Sequence, residues 1–107
     1  MGLFDFLRGA DINTGVERFR AQPGAVLIDV RSRGEYREGH IPGSVNIPLD
    51  EIGRAPATVP AKDTQLFVYC LSGARSRQAV GQLRNMGYSN VENIGGISAW
   101  KGEVTLK

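Results

Sequence analysis

Apolar residues in this chain fall into two kinds of group. Val26-Leu27-Ile28-Asp29-Val30 and Leu66-Phe67-Val68-Tyr69 are nearly continuous apolar runs, rich in β-branched and aromatic residues and flanked by turn signals. Runs of that kind read as strands buried on both faces, as in a parallel sheet covered by helices. Elsewhere the spacing is helical. Ile12, Val16 and Phe19 share one face of a helix predicted over Asp11 to Arg20, with Asn13 or Thr14 as N-cap and Pro23-Gly24 as the stop. Ala79, Val80, Leu83 and Met86 line one face over Arg75 to Met86, and Gly87 is placed to end that helix. Shorter strands are expected at Ser44 to Ile47 and Val91 to Ile94, and single helical turns at Gly34 to Glu38, Leu49 to Ile52 and Ile97 to Lys101. Gly53 to Asp63, with Pro56 and Pro60, is expected to be a surface loop. Strands alternating with helices predict an α/β fold, with a mainly parallel sheet between helical layers.

Composition narrows the class without changing the fold. The 107 residues, 41% apolar and 22% charged, suit one globular domain spanning the chain. Residues 1–10 form an N-terminal extension whose Leu3, Phe4, Phe6 and Leu7 are expected to pack as an amphipathic turn or to dock a partner. That segment lacks the basic start and cleavage site of a secretory signal, and Phe6 stands where a myristoylation signal needs Ser or Thr. No stretch is long and apolar enough to span a bilayer, so a cytoplasmic protein without membrane partners is expected. Ten of the thirteen basic residues are arginine, and they are dispersed, not gathered into the stripe that nucleic-acid binding needs. No nucleic-acid partner is expected. One cysteine excludes an internal disulfide, and one cysteine with one histidine cannot assemble a usual metal set. No cofactor or metal is called for.

The chemistry concentrates in Tyr69-Cys70-Leu71-Ser72-Gly73-Ala74-Arg75-Ser76, which joins the carboxyl end of a buried strand to the amino end of a helix. Open α/β sheets place their sites at that edge. A helix start offers unpaired N–H groups and partial positive charge, so a thiol there ionises more readily, and the thiolate is the nucleophile. Gly73 opens backbone angles that let successive amides converge on an anion. Arg75 can present a planar fork of donors to an oxyanion, with Arg31 as a second candidate anion contact. Asp29 ends the neighbouring strand and is expected to orient Arg31 or a loop amide. A cysteine at a strand end is often an inert small hydrophobe. The small, polar, glycine-containing residues after Cys70 are not what an inert strand end needs.

From about Asp11 to Gly102 the chain resembles a single-domain rhodanese. The resemblance is carried by Leu27-Ile28-Asp29-Val30-Arg31, Glu35-Tyr36, Gly39-His40-Ile41-Pro42-Gly43-Ser44-Val45-Asn46-Ile47-Pro48, the Cys70 to Arg75 loop, Gly87-Tyr88, and Gly95-Gly96 followed by Trp100. It implies a five-stranded parallel sheet. It also implies a sulfurtransferase whose Cys70 takes sulfane sulfur from a small anion such as thiosulfate, or from a persulfide. Cys70 then passes it to cyanide, a thiol or an acceptor protein. The amides of Leu71, Ser72, Gly73, Ala74 and Arg75 would hold the charged terminal sulfur. Related phosphatases have a loop one residue longer, which disfavours a phosphatase or arsenate reductase. A non-catalytic binding or redox-sensing module is the other alternative, and retention of Cys70 with Gly73 and Arg75 argues against it. One departure is Leu71, where efficient thiosulfate enzymes of the family often carry a basic residue. His40 is expected to fix a turn, Gly95-Gly96 to turn the chain before a helix, Trp100 to pack in the core, and Glu35 and Glu38 with Arg33 and Arg37 to form a solvated face.

Overall fold

A computed structural model describes residues 10–107; the expected amphipathic extension therefore lies almost wholly outside the described residues. In chain order the elements are α1 (Ile12–Ala21), β1 (Val26–Asp29), α2 (Arg33–Glu38), β2 (Ser44–Asn46), a 3-10 turn (Leu49–Arg54), α3 (Ala55–Thr58), β3 (Leu66–Cys70), α4 (Ala74–Asn85), β4 (Val91–Gly96) and a second 3-10 turn (Ile97–Ala99). All the strands are parallel, in the order β2-β1-β3-β4. The alternation of side chains along a strand divides the core in two. Ile28, Val68 and Cys70 face Ala79, Val80 and Leu83 of α4, while Leu27, Phe67 and Tyr69 face Ile12 and Val16 of α1. The result is the expected α/β layering around a parallel sheet.

Three local expectations need correcting. The sheet has four strands among the described residues, not five. Extended chain near the carboxyl end meets the sheet's periphery only at one antiparallel bridge, His40 with Thr105. His40 uses both backbone groups there, and the next inward donor on its side would be Pro42, which has no N–H. The N-cap of α1 is Asp11, whose carboxylate accepts the Asn13 amide at 3.0 Å and the Thr14 hydroxyl at 2.9 Å. Residues 53–63 are not simply a surface loop. Pro56 falls in the first turn of α3, where its missing N–H costs nothing, and Ala55 and Val59 are buried in the α4-side core. No described helix is long and apolar enough to cross a membrane.

β1 and β3 are central, with β2 and β4 outside them. The chain leaves β1 towards β2 and later returns beside β1 as β3, so the switch point lies between the carboxyl ends of β1 and β3. Cys70 is the last residue of β3, at this point.

Two glycines test the packing of the helical layers. A Cβ on Gly15 of α1 would lie 2.4 Å from Ile94 Cβ on β4, whereas one on Gly81 of α4 would meet nothing within 4 Å. Gly→Ala in a helix gains about 0.5–1 kcal/mol from backbone entropy, and overpacking costs about 1–3 kcal/mol. Gly81→Ala should raise the urea midpoint of unfolding, and Gly15→Ala should lower it.

Candidate active site

β3 delivers Cys70 to the sheet edge, Leu71 to Gly73 make the turn, and α4 starts at Ala74. Gly73 adopts φ +107° and ψ −11°, closed to most side chains, and caps α4 without any side-chain cap bond. The sulfur fills that role: the Gly73 amide donates to Cys70 Sγ at 3.0 Å. Ser76 Oγ lies 3.4 Å from the same sulfur and is itself fully buried. Burial pushes the Cys70 thiol up, but donation from the Ser76 hydroxyl and from the amides of Ser76, Gly73 and Ser72 outweighs it and draws the thiol below its ordinary value.

A second layer fixes this loop. Ser76 Oγ is 2.7 Å from Asn93 Oδ1 and 3.1 Å from the Gly73 carbonyl, and Asn93 Nδ2 donates to that carbonyl at 3.2 Å. Asn93 Oδ1 also accepts the Gly95 amide at 2.9 Å. The β3–β4 register slips here, from Val68 opposite Asn93 to Tyr69 opposite Gly95, so Asn93 braces a bulge and the loop together. The Ser76 hydroxyl has one proton and several acceptors. Donating to Asn93 leaves its oxygen open to the thiol S–H; donating to a thiolate means turning from Asn93. Gly95-Gly96 does more than turn the chain: a Cβ on Gly96 would lie 2.1 Å from the Leu71 carbonyl oxygen, which accepts the Ser98 amide at 3.1 Å. The loop lies directly on this glycine.

Cys70 is 1% exposed, whereas Leu71 is 46% exposed beside it. Val30, whose amide bonds the Tyr69 carbonyl at 3.0 Å, lines a cleft of about 400 Å³ with Ser32, Pro48, Leu49, Asp50, Arg75 and Gln82. Arg75, at the start of α4, ties this cleft to the Cys70 loop.

The two arginines have partners of their own. Arg31 Nε and Nη2 grip buried Asp29 at 2.7–3.1 Å, Nη2 also reaches the Gly39 carbonyl at 2.7 Å, and the guanidinium lies 5.9 Å from the centre of the Tyr69 ring. The structure thus joins Asp29 to Arg31, as the sequence suggests, and commits Arg31 to the scaffold more than to the cleft. Arg75 lines the cleft, yet its Nη1 and Nη2 are bound by Glu35 at 2.6 and 3.0 Å. Glu35 is therefore not part of a solvated face with Arg33 and Arg37. Its Oε1 also accepts the Ser32 amide at 3.0 Å, closing a capping box at the start of α2. The Arg75 guanidinium, opposed only by the smaller effect of burial, holds the Glu35 carboxyl down to about 2. His40 has its ring nitrogens 2.8 Å from the Tyr36 carbonyl and 3.1 Å from the Lys107 carbonyl and stacks on Tyr36. Trp100 packs on the α1-side core and donates its indole N–H to the Glu103 carbonyl at 2.9 Å.

Asn93, Gly96 and Glu35 are site residues that sequence reasoning missed, and Ser76, which lies within the singled-out stretch, was given no role there. Ser76 was visible in principle, because it lies three and four residues before Ala79 and Val80 on the buried stripe of α4. If its hydroxyl stabilises the thiolate, Ser76→Ala should move the pH midpoint of iodoacetamide alkylation upward. It should also slow alkylation at neutral pH on the order of threefold to tenfold, the scale of one charge-assisted hydrogen bond.

Comparison with known proteins places this geometry. Residues 14–103 match the family model described as the Rhodanese-like domain. Among curated relatives, the chain is 46% identical over 71 residues to "Thiosulfate sulfurtransferase PspE" of Escherichia coli, covering 65% of this chain and 68% of that protein. It is 36% identical over 95 residues to "Adenylyltransferase and sulfurtransferase uba4" of Ogataea parapolymorpha, covering 88% of this chain but only 24% of that longer protein. Among solved structures, a rhodanese with anions from E. coli superposes with TM-score 0.72 at 38% identity, over 78% of this chain and 99% of that one. The human single-domain sulfurtransferase TSTD1 does so with TM-score 0.70 at 32% identity, over 81% and 89%. With the loop, the sheet edge and these matches in agreement, the chain belongs to the rhodanese-like sulfurtransferase family.

Proposed function

We propose that this protein moves sulfane sulfur from a donor such as thiosulfate or a persulfide to a thiophilic acceptor through a persulfide on Cys70. The observation that carries this reading is the 3.0 Å contact from the Gly73 amide to Cys70 Sγ at a helix start with no other side-chain cap. The Cys70 thiolate attacks the outer sulfur of the donor, the donor's S–S bond breaks, and sulfite or a thiolate leaves with the bonding pair. The product is a Cys70 persulfide, whose terminal charge the loop amides and the helix start stabilise. An acceptor such as cyanide, a thiol or an acceptor protein then attacks the terminal sulfur and returns the Cys70 thiolate. With one cysteine in the chain, that acceptor comes from outside.

One observation favours the second reading, a non-catalytic or redox-sensing module: Cys70 is 1% exposed, so its sulfur is almost closed to a donor in solution. Intact mass spectrometry after incubation with thiosulfate or glutathione persulfide separates the two. Sulfur transfer predicts a gain of one sulfur atom, removed by cyanide and absent in Cys70→Ser. No adduct from either donor would leave the binding module as the better account.

A further inference from the structure

The cleft beside the Cys70 loop has the Arg75 guanidinium on its wall, but the charge is already answered. Glu35 takes Arg75 with both carboxylate oxygens, and its carboxyl stays ionised at any pH at which a thiolate forms. Arg31 and Arg33 are likewise paired, with Asp29 and Glu51, while Arg77 lines a separate cleft with Ser72, Gly73, Ala74 and Asn93. Asp50 adds a further carboxylate to the Arg75 cleft, while Val30, Pro48 and Leu49 give it apolar surface, and the exposed Leu71 side chain stands at the loop. A site built to draw in an inorganic dianion needs an unanswered positive charge at its mouth. Here the wall is apolar with its formal charges balanced or negative, which suits a donor whose sulfur rides on an organic group.

We propose that Glu35 is a specificity-determining residue: it holds Arg75 back from anionic donors and so tunes the Cys70 site for a persulfide carried on an organic thiol over the thiosulfate dianion. The proposal rests on the sulfur-transfer reading above. With the favoured donor, Cys70–S⁻ attacks the terminal sulfur of R–S–SH and the S–S bond of the donor breaks. R–S⁻ leaves and takes up a proton from water, and Cys70–S–SH remains. Sulfane sulfur changes carrier with no net oxidation. With thiosulfate the same attack expels sulfite, but a thiolate must meet a doubly charged donor beside an Arg75 whose charge Glu35 already answers.

The test is the second-order rate of single-turnover loading of Cys70, followed by intact mass, with thiosulfate and with glutathione persulfide at low and high salt. In the unmodified protein the persulfide should load at least about tenfold faster. Glu35→Gln keeps a residue able to close the capping box with Ser32 and leaves Arg75 without its counter-charge. It should raise the thiosulfate-to-persulfide rate ratio at least about fivefold, through a thiosulfate rate that falls steeply with added salt. Glu35→Asp should bring the ratio back towards that of the unmodified protein. Equal loading by both donors in the unmodified protein would overturn the proposal. So would a Glu35→Gln ratio that stays the same while both rates fall, the mark of a structural role alone. Loading by neither donor would remove the sulfur-transfer reading itself.

Discussion

The amide-to-sulfur contact between Gly73 and Cys70 is the constraint around which the rest of the structure is arranged. An α-helix begins with several N–H groups that have no partner inside it, and most helices answer one of them with Ser, Thr, Asp or Asn at the cap. Helix α4 has glycine there, at a positive φ, and a cysteine three residues earlier. The sulfur takes the place of the missing cap. The bond strengthens as the sulfur gains negative charge, so the start of α4 and ionisation of the thiol favour each other. Burial opposes ionisation, and the donors outweigh it because several of them converge on one atom. This local balance separates a readily ionised thiol from an inert core cysteine.

The features surrounding the loop keep that geometry in place. From below, β4 supports it with two glycines and the bulge that Asn93 braces; from within α4, Ser76 ties the sulfur to Asn93. At the side, Asp29 and Glu35 each take an arginine. These two ion pairs differ in kind. Arg31 and Asp29 are buried, with further bonds to the Gly39 carbonyl and the Arg31 amide, so the pair is part of the scaffold. Arg75 and Glu35 are about one-third exposed at the cleft, where solvent screens the pair and its energy is modest. Its importance lies in where it leaves the charge.

Features set by local pattern were legible in the sequence. The buried strands β1 and β3 stood out as apolar runs, helix α4 as a stripe closed by Gly87, and the Cys70 loop as the turn between them. What escaped was decided by contacts distant in sequence or by positional chemistry. Glu35 meets Arg75 forty residues away, so its neighbours Arg33 and Arg37 suggested a solvated face that it does not join. Asp11 outcompeted Asn13 and Thr14 as cap because both of them donate to its carboxylate. Pro56 marked a helix start, not a loop, and Pro42 withheld the donor that would have extended the bridge at His40. The backing of the loop by Gly96 depends on a close approach between two backbones, which no spacing rule shows.

The central claim is that the fold makes Cys70 a stabilised thiolate, and direct titration tests it. Ultraviolet thiolate absorbance of the folded protein, measured against pH with Cys70→Ser as the blank, reads the sulfur's own ionisation. The account predicts a midpoint below the ordinary thiol value of 9.0. A midpoint at or above that value, or no ionisation until the protein unfolds, would show that burial wins over the loop's donors and would contradict it.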